Sequence, residues 1–350
     1  MAKAKKALND TPPWLWPTLL LASLLVPFAA ISVGSLSIPI TEVMMTLLPQ
    51  AWTPSSLADS PSQLTYTVVW ELRLPRTLMA MLAGASLAMS GFVLQSVTRN
   101  PLADPYLFGI SSGASFGAVV TLTGAFGAAS LWLPIGAFVG ALLAITIVIA
   151  LMGRQSYRQA ERMLLAGVAV SFLFSALSSG LIYGADANAI ASVLFWNMGS
   201  VARVQWQQLW QPASALLIAL LFFLWNRRSI EALAAGDEAA HSLGVKVAQT
   251  RIAALVMAAL VTAIVVSLCG GIGFVGLVIP HLVRLLNRAC GWQMSWLQHL
   301  LVSLALGAIF LVVVDAMARL ILPMQELPLG VITASIGSIF FIYLLGRVRS

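Results

Sequence analysis

Runs of about 20 consecutive apolar residues recur along this chain, and they restrict its fold more than any other feature. A run of that length predicts an α-helix that crosses a bilayer. Strands of a membrane β-barrel alternate apolar and polar residues, whereas these runs are apolar on every side. Only 9% of the residues are charged, against roughly a quarter in a soluble domain. We therefore expect an all-α polytopic membrane protein.

The runs predict about ten transmembrane helices in a single domain that covers residues 1–350. A Gly-rich run at 270–286 is interrupted and is counted as a short eighth span. Between the first two spans we expect a surface helix at about 38–48. The predicted spans are about 14–34, 74–97, 109–126, 131–152, 163–183, 209–225, 252–269, 270–286, 297–317 and 329–345.

The placement of basic residues predicts the orientation of these spans. Lysines and arginines concentrate on the cytoplasmic side of a membrane protein. With Lys3, Lys5 and Lys6 inside and ten spans, all but four of the 19 basic residues fall on the cytoplasmic side. The four are Arg73, Arg76, Arg203 and Arg319. We therefore expect both termini in the cytoplasm, and we take the first run as a span rather than a signal peptide.

Several motifs that bind nucleotides or metal ions are missing from the sequence. It has no P-loop, so any ATP that drives transport must be bound by another subunit. It has no HExxH or paired-cysteine motif, and Cys269 and Cys290 are expected to be packing residues. We therefore expect no metal site and no cofactor in this chain.

One formal catalytic match exists, G-x-S-x-G at residues 109–113. A nucleophilic Ser111 would require a strand-to-helix turn, whereas this match opens a predicted membrane helix. Gly109, Gly113 and Gly117 also recur at intervals of four, which favours close helix packing. Gly136 with Gly140 and Gly180 with Gly184 predict the same.

The longest polar interruption in the second half of the chain is residues 231–251. It contains three carboxylates, one histidine and the only lysine outside the N-terminal tail. Gly236 and Gly244 enclose a short helical pattern of small residues. Such a helix between membrane spans suits docking to a soluble partner, and an ordinary solvated loop is the alternative.

Two further patterns leave alternatives open. Ser171, Ser175 and Ser178 share one face of the fifth span, so they line a weakly polar pathway or bond carbonyls of their own helix. Asp315 and Arg319 are four residues apart, which favours a local ion pair over a proton relay.

The sequence resembles the permease subunits of ABC importers for iron–siderophores, haem and vitamin B12, the type II importers. The resemblance extends from Arg73 to the C-terminus. The matching residues are RLPR at 73–76, GFVLQ at 91–95, NPLADP at 100–105, GISSGA at 109–114, LAG at 165–167, SLG at 242–244, GFVGL at 273–277, IPH at 279–281, Arg284, Asp315, ARL at 318–320 and ELPLG at 326–330.

The resemblance implies a pathway between two permease subunits, identical or closely related, in a bacterial inner membrane. It implies two ATPase subunits that bind ATP and Mg²⁺ inside, a substrate-binding protein outside, and no nucleic acid. A coupling segment at about 229–247 would contact the ATPase. Its site residues would be Asp237, Glu238, Ala239, Ala240, His241, Ser242, Leu243 and Gly244.

Two more sites follow from the resemblance. Arg73, Arg76 and Arg319 match positions that meet carboxylates of the binding protein. Residues 159–162 match a cytoplasmic gate, formed here by Gln159, Ala160, Glu161 and Arg162. Ala160 and Glu161 depart from the small hydroxyl residues of the vitamin B12 permease, which puts hydroxyl-based gating in doubt.

The expected function is therefore the non-enzymatic membrane subunit of an ATP-driven importer for a ferric siderophore. Haem and vitamin B12 are alternative cargoes of the same family. A carrier driven by a proton or sodium gradient is the alternative from another class, although it would need more charged residues at midplane than Asp315. A serine protease built on Ser111 is a distant third.

Overall fold

The computed structural model describes residues 12–34, 37–47, 62–124, 129–151, 160–322 and 325–347, and all regular structure in these ranges is helical. The first half contains α1 Leu15–Ser32, α2 Ile40–Leu47, α3 Gln63–Tyr66, α4 Leu74–Thr98, α5 Ile110–Thr123, α6 Ala129–Leu151 and α7 Ala160–Tyr183. The second half contains α8 Ala187–Asn197, α9 Trp210–Trp225, α10 Arg227–Ala235, α11 Asp237–Ser242, α12 Val247–Cys269, α13 Val275–Ala289, α14 Trp296–Leu320 and α15 Leu329–Arg347.

The predicted spans correspond to helices. In the described part of the chain, seven helical stretches are long and apolar enough to cross a membrane. Helix α5 and the segment Leu329–Leu344 are shorter and apolar. The Gly-rich run at 270–286 is helical only from Val275, where α13 begins. The prediction of an all-α protein with about ten transmembrane helices is confirmed, as is the surface helix, which forms α2.

Two helical features were not predicted. The second span starts at Gln63 rather than near residue 74, because α3 continues through a π-helical segment, Thr67–Arg73, into α4. The segment expected to link the fifth and sixth spans contains α8, which begins where the Asp186 side chain accepts hydrogen bonds from the backbone N–H groups of Asn188 and Ala189.

Helix α4 is the central element of the bundle, and most of it is buried. Its small residues allow neighbouring backbones to approach closely. A Cβ atom on Gly84 would collide with the carbonyl of Gly307 in α14, and one on Gly91 would collide with the carbonyl of Gly276 in α13. Without a hydrophobic driving force between helices in lipid, such close contacts are a main source of helix association.

The predicted glycine ridge packs α5 against α6. A Cβ atom on Gly113 would collide with the carbonyl of Gly140, and one on Gly117 with that of Gly136. Packing therefore accounts for the G-x-S-x-G match, which follows a 3₁₀ turn rather than a strand. Gly180 and Gly184 make no such contact within the described chain, where no atom lies within 4 Å of a Cβ placed on either residue.

Candidate functional site

The predicted coupling segment, residues 229–247, forms a surface site centred on α11. Helix α11 spans Asp237–Ser242, as the glycine-framed pattern predicted. Gly236 and Gly244 flank it with φ values of 137° and 76°, which L side chains rarely adopt. Each end of α11 is therefore a sharp turn that glycine permits.

The eight predicted coupling residues divide into one anchor and an exposed face. Ala240 is fully buried, Asp237 is half-buried, and the other six are exposed. The Leu243 side chain is 72% exposed, although a leucine gains free energy from burial. Beside it lies an open groove of about 510 Å³ that includes Glu238, His241 and Lys246 in its lining. The surface has an apolar tip and a charged rim, which suits docking to a protein.

Arg251 of α12 holds α11 against the bundle. Its side chain is only 3% exposed. Its Nη2 donates to Asp237 Oδ1 at 2.6 Å, and its Nε donates to the carbonyl oxygen of Val97 in the last turn of α4 at 2.9 Å. A buried guanidinium at a helix C-terminus is stabilised by the carbonyls and dipole of that end. One side chain thus joins α11, α12 and α4.

The same end of α4 makes three further hydrogen bonds. Arg284 Nη2 of α13 donates to Gln95 Oε1 at 2.6 Å, and Gln95 Nε2 donates to the carbonyl oxygen of Gly276 at 3.1 Å. Trp296 Nε1 of α14 donates to Ser96 Oγ at 3.2 Å. The Val97 end of α4 is therefore fixed to α12, α13 and α14 by hydrogen bonds.

The opposite end of α4 carries an ionic cluster, made of Arg73, Arg76, Asp315, Arg319 and Glu326. Arg76 Nε donates to Asp315 Oδ1 at 2.8 Å. Arg76 Nη1 donates to the two oxygens of Glu326 at 2.7 and 2.8 Å. Such charge-assisted bonds are the stronger kind, and they join α4 to α14 and to the segment before α15.

The other two arginines of the ionic cluster reach the end of α1. Arg319 Nη1 donates to the carbonyl of Val33, and Arg73 Nη1 to that of Ile31, both at 2.7 Å. Arg319 Nη2 also lies 3.0 Å from Asp315 Oδ2, an ionic contact without the angles of a hydrogen bond. The predicted local pair of Asp315 and Arg319 is confirmed.

The three arginines predicted to meet carboxylates of the binding protein all belong to the ionic cluster. Arg73, Arg76 and Arg319 are buried, because charges in an apolar span are held by internal partners. Glu326 is the exposed member, with 47% of its side chain accessible. A partner carboxylate would have to displace Glu326 to reach Arg76. The docking role of the arginines stays a prediction.

Two of the three predicted pathway serines of α7 bond their own helix. Ser171 Oγ donates to the carbonyl of Gly167 at 2.9 Å, and Ser178 Oγ to that of Phe174 at 2.7 Å. Ser178 is buried within the described chain, so its side chain does not face an opening there. Ser171 is half-buried and Ser175 is exposed. A pathway role for Ser171 and Ser175 stays a prediction.

The predicted gate is described only in part. Gln159 lies outside the described residues, and so do the side chains of Ala160 and Glu161, whose backbone begins α7. Arg162 is exposed in the first turn of that helix. The gate stays a prediction. Within the described ranges, no three His, Cys, Asp or Glu side chains are close enough to hold a metal ion.

Sequence reasoning missed the residues that tie these sites to α4. Arg251 counted only as a basic residue at the end of the polar stretch 231–251, and Arg284 and Glu326 only as residues that match the family. A signal was present nonetheless. Arg76, Asp315 and Arg319 interrupt apolar runs, and charges there must be paired.

The model of the FecCD transport family matches residues 19–347. The chain belongs to the FecCD transport family. This confirms the resemblance to ABC importer permeases for metal chelates, and the fold described above is the fold of an ABC importer permease.

Relatives of this chain include permeases named for two cargoes. The hemin transport system permease protein of Yersinia pestis is 34% identical over 338 residues, which cover 95% of this chain and 97% of that protein. The vitamin B12 import system permease protein of Salmonella paratyphi A is 39% identical over 279 residues, which cover 79% of this chain and 83% of that protein.

A solved ABC transporter structure shares the fold of this chain. It is described as an inward-facing conformation of a metal-chelate type ABC transporter. Its TM-score to this chain is 0.79 at 30% identity, and the match covers 96% of this chain and all of the other. The FecCD-family chain is therefore a multi-pass ABC importer permease, a transport subunit.

Proposed function

We propose that this FecCD permease imports a ferric siderophore, driven by a separate ATPase subunit that docks on α11. One observation supports a separate ATPase as the energy source. The chain has no P-loop, and α11, anchored by Arg251, presents an exposed face to a partner. An apolar side chain at the tip of an exposed helix suits insertion into a cleft of a partner. The chain itself would bind neither ATP nor Mg²⁺.

Haem and vitamin B12 are equally supported as cargoes, because relatives are named for both. All three cargoes share one chemistry, a transition metal enclosed by a large organic ligand. A pathway of weakly polar groups such as Ser171 and Ser175 would suit any of them, because it would hold none tightly.

We place α11 and both termini in the cytoplasm of a bacterial inner membrane. The ionic cluster then lies at the periplasmic side, where a substrate-binding protein would dock. This orientation follows the positive-inside distribution of arginines and lysines. Residues 159–162 at the start of α7 would form the cytoplasmic gate.

A second permease subunit, identical or closely related, would complete the pathway. Helix α7 supports this proposal, since Leu165 and Phe172 are 70% and 73% exposed in the single chain. Lipid would cover such side chains equally well, but the exposed Ser175 on the same helix favours a protein or water-lined neighbour over a purely lipid one.

The cargo can be identified with the complex in proteoliposomes. The permease, its ATPase and its binding protein are reconstituted with ATP on the α11 side, and ferrichrome, haemin and cyanocobalamin are supplied in parallel. We expect ATP-dependent accumulation of ferrichrome. Accumulation of haemin or cyanocobalamin alone would replace the siderophore assignment, and accumulation of none would contradict the cargo class.

A further inference from the structure

Three elements meet at a single buried side chain, the guanidinium of Arg251. Its Nη2 binds the Asp237 carboxylate of α11 at 2.6 Å, and its Nε binds the Val97 carbonyl of α4 at 2.9 Å. A guanidinium is planar and rigid, so two such bonds fix the relative position of both partners. Displacement of Asp237 therefore displaces the end of α4 or breaks a charge-assisted bond.

The chain on either side of α11 provides a weaker route. Gly236 and Gly244 join it to α10 and α12 with backbone conformations that glycine permits. Such positions absorb changes of φ and ψ when an element moves. Movement of α11 would thus be absorbed by the two turns unless side chains transmitted it to the bundle. Ala240 makes an apolar contact with the core, and Arg251 makes the directional, charge-assisted contact.

Helix α4 is suited to transmit the movement across the membrane. It is buried among α12, α13 and α14, with glycine contacts that leave no room to bend aside. Arg76 and Val97 lie about 32 Å apart along its axis, as the rise of an α-helix requires. At the far end, Arg76 is bound to Asp315 and Glu326.

We propose that Arg251 is a positioning residue that couples α11 to α4, so that nucleotide-driven movement of α11 shifts the ionic cluster at the other end. The proposal rests on the proposed function, because it needs an ATPase that moves α11. A residue that merely holds the fold together would change assembly and both activities together. A coupling residue changes the amount of cargo carried for each ATP hydrolysed.

The test uses two variants that remove the link by different routes. Arg251→Lys keeps the charge, but its single ammonium cannot present the fork that serves both Asp237 and Val97. Asp237→Asn keeps the shape of α11 and removes the carboxylate. The matched control is Arg227→Gln, which breaks the 2.7 Å ion pair between Arg227 and Glu231. Both residues lie in α10, so this pair does not connect two helices.

Each variant is reconstituted with its ATPase and binding protein. ATP hydrolysis and uptake of ferrichrome, haemin and cyanocobalamin are measured on the same vesicles. We expect Arg251→Lys and Asp237→Asn to assemble and to hydrolyse ATP, with cargo carried per ATP reduced about tenfold, within the usual range for coupling between sites. The double variant should be no worse than Arg251→Lys alone, because Arg251→Lys already removes the contact with Asp237.

The outcomes separate the inference from the proposed function. An unaltered ratio of transport to hydrolysis in Arg251→Lys, or a loss as large in Arg227→Gln, would overturn the coupling role. A parallel fall in assembly, hydrolysis and uptake would also overturn it and would leave Arg251 as a structural residue. Failure of the unaltered complex to take up any probe with ATP would overturn the proposed function and the inference together.

Discussion

Arg76 and Asp315 are 239 positions apart in sequence, and Arg76 Nε lies 2.8 Å from Asp315 Oδ1. The contact joins the start of α4 to the last turns of α14. Both side chains are almost fully inaccessible. Because a buried charge without a partner is strongly destabilising, this pair connects the stability of the bundle with the end of the molecule that also contains Glu326.

Loss of the buried carboxylate should destabilise the protein. Asp315→Asn leaves Arg319 without a charged partner, while Arg76 keeps Glu326. We expect a loss of about 3 kcal/mol in the free energy of unfolding, the lower end for a broken buried pair. SDS titration in mixed micelles measures it. The control, Arg227→Gln, breaks an accessible pair and should cost at most about 0.5 kcal/mol; equal losses would contradict the account.

Glu326 should compete with the binding protein for Arg76. Removing its charge in Glu326→Gln frees one side of the Arg76 guanidinium for a carboxylate of the partner. We expect docking to tighten by about threefold at low salt, with a smaller effect at high salt, because exposed charge pairs are weak and screened. Binding to the permease in nanodiscs measures the change.

The matched control for that experiment is Glu71→Gln. Glu71 is exposed in the π-helical segment and is not a member of the ionic cluster. It should change docking less than Glu326→Gln. Weaker docking of Glu326→Gln would show instead that Glu326 positions Arg76 for the partner.

The tip of α11 should anchor the ATPase. In Leu243→Asp a charge replaces an exposed apolar side chain, so the permease should fold normally while ATPase co-purification falls about tenfold, as for a central apolar contact. Ser242→Ala, on the same exposed face, is the control and should retain the ATPase. Full retention in Leu243→Asp would contradict the assignment of this surface.

Close glycine contacts should be intolerant of a single methyl group. In Gly91→Ala the new Cβ meets the backbone of Gly276, so α4 and α13 must separate. We expect a loss of about 1–3 kcal/mol, typical of overpacking. Gly180→Ala meets no described atom and should be neutral or slightly stabilising, since alanine favours helix. The reverse order of stabilities would refute this packing.

Features that depend on a local sequence pattern were predicted well. Apolar run length predicts the spans because the bilayer has a fixed thickness. The Gly236 and Gly244 frame predicted α11 because glycine ends short helices. The spacing of Asp315 and Arg319 predicted their pair because residues four apart are neighbours on a helix.

The contacts that connect distant segments were not predictable in this way. The pairing of Arg76 with Asp315 and Glu326, and of Arg251 with Val97, depends on how helices are arranged, which no local period specifies. For the same reason the burial of Arg73, Arg76 and Arg319 was missed. Positive charge at a span end indicates orientation, but it does not distinguish a surface arginine from one that is bound within the bundle.

Under the proposed function, this permease is a passive conduit that an ATPase bound to α11 moves. Vesicles are prepared with the permease alone and with the permease, its ATPase and its binding protein. Ferrichrome, haemin or cyanocobalamin is supplied outside the vesicles. Transport is driven either by ATP on the α11 side or by a proton or sodium gradient. The account predicts accumulation only in the complete complex with ATP. Accumulation by the permease alone on an ion gradient would contradict it.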